Sequence, residues 1–228
     1  DNTFVNTYAT PDSTEHFSHL LETYDDALLA TGVTGAGPDT DGILVKMNRR
    51  GTITWQKRFA EPGTQRLIQA INSSDNNYFI LGTHTNHVDE AGGFLVKMDA
   101  AGTILWKKEM FTWDIGYRFI KMMQGTDGFI YVLGMHESGG IDGKPTLTKI
   151  DNAGVTQWSR QYRNPVNGYL TPFDFTDDNV GILISGEIHN INTAYASDGS
   201  VLRVAKSNGA VAWVKRYNPT NFSGGRMP

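Results

Sequence analysis

Short stretches of alternating apolar and polar residues, rich in Val, Ile, Leu, Phe and Tyr, follow one another along the chain, and clusters of Asn, Asp, Ser and Gly separate them. A period of two over six to nine residues predicts strands, and two- to five-residue polar turns predict antiparallel hairpins. The stretches are not independent. GILVKMNRRGTITWQKRF (42–59), GFLVKMDAAGTILWKKEM (93–110), PTLTKIDNAGVTQWSRQY (145–162) and VLRVAKSNGAVAWVKRY (201–217) are four copies of one hairpin. Their tryptophans, Trp55, Trp106, Trp158 and Trp213, recur at a nearly constant interval, and the turn glycines Gly51, Gly102, Gly154 and Gly209 keep step with them.

Upstream of each copy comes a strand containing Gly32, Gly82, Gly134 or Gly186, and before it a third, as in SHLLET, RLIQAINS, RFIKMMQG and YLTPFDFT. Each repeat therefore reads as an antiparallel meander of strands a, b, c and d. Four strands in a period of roughly 50 residues match the blade of a β-propeller. The blades are expected at 16–59, 66–110, 117–162 and 169–217, within one domain spanning 1–228. A β-sandwich would not require a tryptophan at a constant offset. The fold class expected is thus all-β, a propeller of four-stranded antiparallel blades.

Residues 1–10 have the form of an outer d strand, and 218–228 that of the start of another a strand. Four complete blades flanked by partial ones predict a share of a six- to eight-bladed ring, closed by further blades or by a second chain. An unpaired sheet edge would otherwise invite aggregation.

Two details of the repeat carry expectations of their own. A large flat side chain at a constant place on the outer strand suits the wedge between neighbouring blades, so the four tryptophans are read as core. Lys46 and Lys97 on strand c are read as an outward, solvated row. In the fourth copy Arg203 precedes its turn glycine by six residues where Lys46, Lys97 and Lys149 precede theirs by five, which predicts an extra residue or a bulge in that hairpin.

The run KMDAAGTILW (97–106), with Asp three residues before Gly and Trp four after it, resembles the docking motif of quinoprotein-type, PQQ-like propellers. It is still more similar to the G-x-x-L-V-K-x-D-x-x-G-x-x-x-W repeats of secreted bacterial propellers, whose functions are mostly unassigned. The resemblance covers nearly the whole chain and implies a scaffold rather than a chemistry. PQQ itself is not expected, because such enzymes use a full ring and ligands that this chain does not identifiably supply.

Composition narrows the function. With 39% hydrophobic and 19% charged residues the chain is that of an ordinary globular protein, and its net charge of −4 offers no basic surplus to offset a phosphate backbone. Nucleic acid is not an expected partner, and the overall charge does not favour an acidic ligand. No apolar run approaches the roughly 20 residues needed to span a bilayer as a helix, so membrane insertion is not expected. The absence of cysteine removes disulfides and thiolate chemistry. The start at Asp1 without Met fits a processed secreted, periplasmic or cell-surface protein and an excised segment of a longer chain equally well, and export is the expectation taken.

In an up-and-down blade the d–a and b–c connections leave the sheet at one end, and here the long loops are of these two kinds. That end is the candidate functional face, because a rigid β-scaffold commonly carries binding on such loops. Trp113 is the one tryptophan outside the repeat. With Asp114 and Tyr117 it offers an aromatic face beside a carboxylate, suited to a sugar or to a protein hot spot. Glu137 and Tyr195, in b–c connections, belong to the same candidate set. His84 and His136 each follow the b-strand glycine by two residues, whereas Thr34 and Ile188 take that place in the other blades. They are candidate ligand-binding residues, and an incomplete set argues against a shared metal.

Asp39 and Asp41, in PDTDG (38–42), resemble part of a calcium loop that lacks its third acidic position and distal Glu. Asp41, Asp142 and Asp198 recur just before strand c, which predicts turn capping rather than calcium. No cofactor is expected. No Gly-x-Ser-x-Gly elbow, phosphate loop or His-Glu-x-x-His motif is present. The function expected is a non-enzymatic module that binds protein or glycan through the long-loop face. A propeller enzyme, either a glycan hydrolase or lyase or a quinoprotein, is the alternative.

Overall fold

The computed structural model describes residues 14–35, 40–85, 91–110, 117–138, 142–163, 168–190 and 197–217. They form sixteen strands in four antiparallel four-stranded sheets. The first holds β1 (Thr14–Glu22), β2 (Leu28–Gly35), β3 (Asp41–Met47) and β4 (Ile53–Phe59), and the second β5 (Thr64–Asn72), β6 (Tyr78–Thr85), β7 (Ala91–Met98) and β8 (Ile104–Met110). The third holds β9 (Tyr117–Gln124), β10 (Ile130–Ser138), β11 (Asp142–Ile150) and β12 (Thr156–Gln161). The fourth holds β13 (Gly168–Asp177), β14 (Gly181–Asn190), β15 (Ser197–Ala205) and β16 (Val211–Tyr217). Each sheet keeps its strands in chain order, as a propeller blade does. Residues 1–10 and 218–228, expected as partial blades, lie outside the described residues. No helix among the described residues is long and apolar enough to cross a membrane.

Turn chemistry explains why each meander folds locally. The a–b turns place Asp26, Asn76, Gly128 and Asn179 at φ of 58°, 61°, 79° and 71°. This left-handed region is one that Asn, Asp and Gly tolerate best. In the first three c–d turns the side chain of Asn48, Asp99 or Asp151 accepts backbone N–H groups two and four residues ahead. These bonds favour the charged carboxylate and hold Asp99 below its ordinary range, first through Thr103. The turn closes when the glycine N–H bonds the carbonyl three residues back, as Gly51 does to Asn48. In the fourth turn Gly209 reaches back four residues to Ala205. Arg203 still pairs with Trp213 as Lys46 pairs with Trp55, so the expected extra residue is absorbed in the loop and the strand register is kept.

The b-strand glycines have a different reason. Strand a carries a bulge at Ser18, Ile68 and Phe173 in the first, second and fourth sheets, beside the residue that faces the glycine. A Cβ on Gly32 would lie 1.9 Å from the His16 carbonyl oxygen, and one on Gly186 would lie 2.2 Å from that of Thr171. On Gly82 the obstacle is the Phe94 ring, at 2.3 Å.

The chain divides into two compact units, Asp1–Gln124 and Gly125–Pro228. In the first, Leu29 and Leu44 of one sheet join Leu67, Ala70, Ile80 and Phe94 of the next in a core with Leu21 and Trp55 at its margin. Strands b and c are covered on both faces, so they read as nearly continuous apolar runs rather than as clean alternation.

Here the reading of strand c needs correction. Lys46, Lys97 and Lys149 are not a solvated row but are buried, at 4%, 6% and 7% exposure. Each sits directly opposite its repeat's tryptophan. Each donates to an aspartate of its own a–b turn: Asp25 at 2.6 Å, Asp75 at 2.5 Å and Asp127 at 2.8 Å. A buried ammonium is tolerable only when paired and hydrogen-bonded. Aromatic rings supply part of that environment: Lys149 Nζ lies 4.0 Å from the ring centroid of Phe129 in its own blade's a–b turn, and Lys46 Nζ 5.5 Å from that of Tyr78 on strand b of the next blade. Burial pulls the Lys46 pKa down, but the hydrogen bond to Asp25, with Tyr78 adding to it, leaves it raised overall. In the fourth blade Arg203 and Asp178 replace the pair at 2.8 Å.

The tryptophans are partly buried rather than fully core. Trp55 Nε1 donates to the Ala100 carbonyl at 3.2 Å, and Lys46 Nζ reaches the same oxygen at 3.3 Å. Trp158 Nε1 and Lys149 Nζ likewise share the Lys206 carbonyl, each at 3.0 Å. These indole rings lie against the next blade's turn glycines: a Cβ on Gly102 would meet Trp55 at 3.4 Å, and one on Gly209 would meet Trp158 at 2.8 Å. Each of the two rings thus docks one c–d hairpin against the following one. Trp158→Phe should lower stability by about 1 kcal/mol through the lost N–H bond, and Trp158→Ala by about 3 kcal/mol through lost packing. Urea unfolding midpoints check the order, and equal effects would deny the indole N–H its role.

Candidate functional site

The first unit holds a cleft of about 570 Å³ at the end of its blades where the d–a and b–c connections leave. Register accounts for its walls. On β5 and β6, Thr64 pairs with Thr85, Gln65 with His84 and Arg66 with Thr83, so residues adjoining a d–a loop and a b–c loop lie side by side. Thr83, His84 and Thr85 form one wall with Gly92 of β7. Arg66 and Ile68 of β5 face the opening, and Tyr117, Arg118, Phe119 and Ile120 of β9 complete it, with Ser18 of β1.

Two glycines make room for the rings behind this surface. A Cβ on Gly93 would lie 1.7 Å from the Phe119 ring, and Gly82 leaves space for Phe94. Phe119 meets Tyr117 edge to face at 5.1 Å, and His84 stacks on Phe94 at 6.2 Å. The scaffold is held by main-chain anchors. The buried Gln65 side chain accepts Glu61 N–H at 3.1 Å and donates to the Gly63 carbonyl at 3.0 Å, which pins the d–a loop. The Gln69 side chain accepts Met122 N–H at 2.7 Å, which ties β9 to β5.

Beside the cleft, Glu61, His84 and Glu109 bring one ligand atom each within 4.8 Å of one another, a spacing that would let them converge on an ion. His84 Nδ1 lies 3.6 Å from Glu109. Lys107 Nζ already stands between the carboxylates, 2.5 Å from Glu61 and 2.9 Å from Glu109, and 4.9 Å from the Phe94 ring centroid. Burial lowers the Lys107 pKa, yet the two carboxylates hold it above its ordinary value. Lys107 thus offsets one of the two carboxylate charges and stands between them where a cation would.

Of the residues singled out by sequence, His84 and Tyr117 line this one cleft. His136 belongs to the second unit, on β10 opposite Lys144, and Glu137 follows it opposite Gly143. Trp113, Asp114, Tyr195 and Asp39 lie outside the described residues. Asp41 is described, and the capping role expected for it is corrected: it is buried on β3 and forms an ion pair with Arg58 of β4. Asp198 does the same with Arg216 at 2.8 Å. The aspartate before strand c lies diagonally opposite an arginine of strand d in both blades, and that charge outcompetes the local N–H groups.

Sequence reasoning missed Arg66 and Arg118. They are separated by the same interval as Gly82 and Gly134, and so occupy the same place in successive repeats, at the start of strand a. Scanning every column of the repeat for charge, not only the Gly and Trp columns, would have found them.

No family model matches the chain, and no curated protein sequence matches it. Solved structures do. A chain of the complex of Drosophila Plexin A with Semaphorin 1b superposes with a TM-score of 0.55 at 10% identity, over 89% of this chain and 42% of that one. The endo-arabinase of Bacteroides thetaiotaomicron superposes with a TM-score of 0.50 at 11% identity, over 85% of this chain and 79% of the enzyme. The present chain thus spans less than half of the plexin-complex chain. At such identities the likeness shows the fold, which is that of a β-propeller. The same scaffold belongs to a Plexin–Semaphorin complex in one case and to an endo-arabinase in the other, so the fold alone does not fix a function.

Proposed function

We propose that this chain is a non-enzymatic binding module that takes a glycan or protein ligand at the blade end where the d–a and b–c connections emerge. The observation that carries the reading is the cleft at that end, built from strand termini on pinned main chain and walled by hydroxyl, guanidinium and aromatic groups. Preformed concave sites with a few convergent polar groups are where ligands are usually held. The adjoining carboxylates, Glu61 and Glu109, are both engaged by Lys107, an arrangement suited to holding structure rather than to exchanging protons with a substrate. The plexin complex supports protein binding by this fold, and the endo-arabinase supports glycan as the alternative ligand class.

A glycan array, a panel of purified envelope proteins and a reducing-sugar release assay test the proposal together. Binding without release of reducing ends is expected, reduced at least tenfold in Thr85→Trp, which fills the mouth of the cleft at an exposed position. Release of product sugars, or no binding by protein that keeps its β-sheet circular dichroism, would overturn it.

A further inference from the structure

Resting on that reading, we infer that the cleft is a site for acidic saccharides, whose carboxylate or sulfate groups it takes between Arg66 and Arg118. The chain as a whole carries a net charge of −4, yet among the described residues the cleft lining contains two arginines and a histidine and no Asp or Glu. Charge of one sign gathered in a concavity focuses potential on a ligand of the opposite sign even when the molecule as a whole repels it. Three of the described carboxylates beside the cleft are engaged by cations other than these two arginines. Glu61 and Glu109 share Lys107, and Asp41 is paired with Arg58. Arg66 has no ion pair among the described residues, and both guanidinium side chains belong to exposed residues.

Placement reinforces the charge. Arg66 and Arg118 start strand a in successive repeats, and β5 and β9 lie side by side, tied by the Gln69 to Met122 bond. Two forks projecting from adjacent rigid strands suit planar oxyanions, which arginine grips through paired N–H groups. The remaining lining chooses the class of molecule that bears the anion. The hydroxyls of Thr83 and Thr85 can exchange hydrogen bonds with ring hydroxyls, and Ile68 and Ile120 offer apolar surface to the face of a sugar ring. An acidic peptide would instead seek free main-chain groups. On the β6 side those of β5 are already used in the pairing from Thr64 to Asn72.

The experiment is isothermal titration of the intact chain with four probes: tetragalacturonate for the carboxylate arm, a sulfated dextran oligosaccharide for the sulfate arm, maltotetraose as the neutral sugar, and hexaglutamate as the acidic peptide. One or both acidic saccharides should bind at least tenfold more tightly than maltotetraose and hexaglutamate, with affinity falling as salt rises. Arg66→Gln and Arg118→Gln should each weaken that binding about tenfold, and Arg66→Lys less than Arg66→Gln. Thermal midpoints within a few degrees of the parent show that the variants fold. Equal affinity for maltotetraose, tighter binding of hexaglutamate, or indifference to both arginine substitutions would overturn the acidic-saccharide assignment while leaving a binding module in place. No binding of any probe, joined to a blank glycan array and protein panel, would instead sink the underlying reading as well.

Discussion

Asp127→Ala should destabilise the protein by about 3 kcal/mol, the low end of what is lost when one partner of a buried ion pair is removed. The low end applies because the Asp127 side chain is 25% exposed while that of Lys149 is only 9% exposed. Without Asp127 the buried ammonium keeps the Lys206 carbonyl as its hydrogen-bond acceptor, and the Tyr131 hydroxyl loses its own acceptor at 2.8 Å. For a chain of this length the melting point should drop by roughly 6 to 12 °C. The double substitution Asp127→Leu with Lys149→Met should recover most of that, because an apolar pair of similar volume carries no desolvation cost.

The same pair sets a pH dependence. Burial raises the Asp127 pKa, but hydrogen bonds from Lys149 and Tyr131 more than reverse this, so the native carboxyl titrates below its ordinary value. A depressed native pKa contributes stability that is present above the unfolded-state value, about 3.9, and is lost as pH falls through the native value. The gap between parent and Asp127→Ala should therefore be constant near neutrality and close in acid below about pH 4. Asp25 and Asp177, also depressed, act in the same direction. A gap that widened on acidification would show that the pair does not stabilise the blade. So would a gap at neutral pH no larger than that of an ordinary surface substitution, about 0.5 kcal/mol.

The second large effect is expected at Gly186. A methyl group there would meet the Thr171 carbonyl oxygen at 2.2 Å, and backbone within a paired sheet cannot swing aside as a side chain can. Gly186→Ala should cost about 3 kcal/mol, at the upper end for overpacking. Gly199, on the neighbouring strand, is the internal control. Its Cβ would find nothing nearer than 3.8 Å, so Gly199→Ala should be neutral or stabilise by a few tenths of a kcal/mol through the unfolded chain. Chemical unfolding of the two variants side by side decides the point. Equal effects would mean that the repeat glycine is needed only for local flexibility.

Much of this architecture was legible along the chain. The period of the Gly and Trp columns, the alternation within strands and the Asn, Asp and Gly turns are local signals, because hairpin register follows from turn chemistry and side-chain alternation. They were sufficient for sixteen strands, four meanders and the extra residue before Gly209. The candidate site was legible only in part. His84 and Tyr117 stood out as unusual residues at strand ends. Arg66 and Arg118 looked like ordinary surface charges until β5 and β9 were seen side by side, and Asp41 read as a cap until Arg58 appeared across the sheet.

The blade follows from the chain alone: four strands, their order and the turns that join them are all set by interactions within a single repeat. What meets between blades comes from the assembled fold. Lys46 and Lys149, written as charges in an alternating strand, became buried ammonium groups because the next blade's hairpin closes over them and supplies the carbonyl that a lone strand lacks. The cleft arises in the same way, from strand ends of different repeats. The free energy of a buried charge or a shared ligand site depends on groups far apart along the chain, and no local pattern encodes which of them will be neighbours.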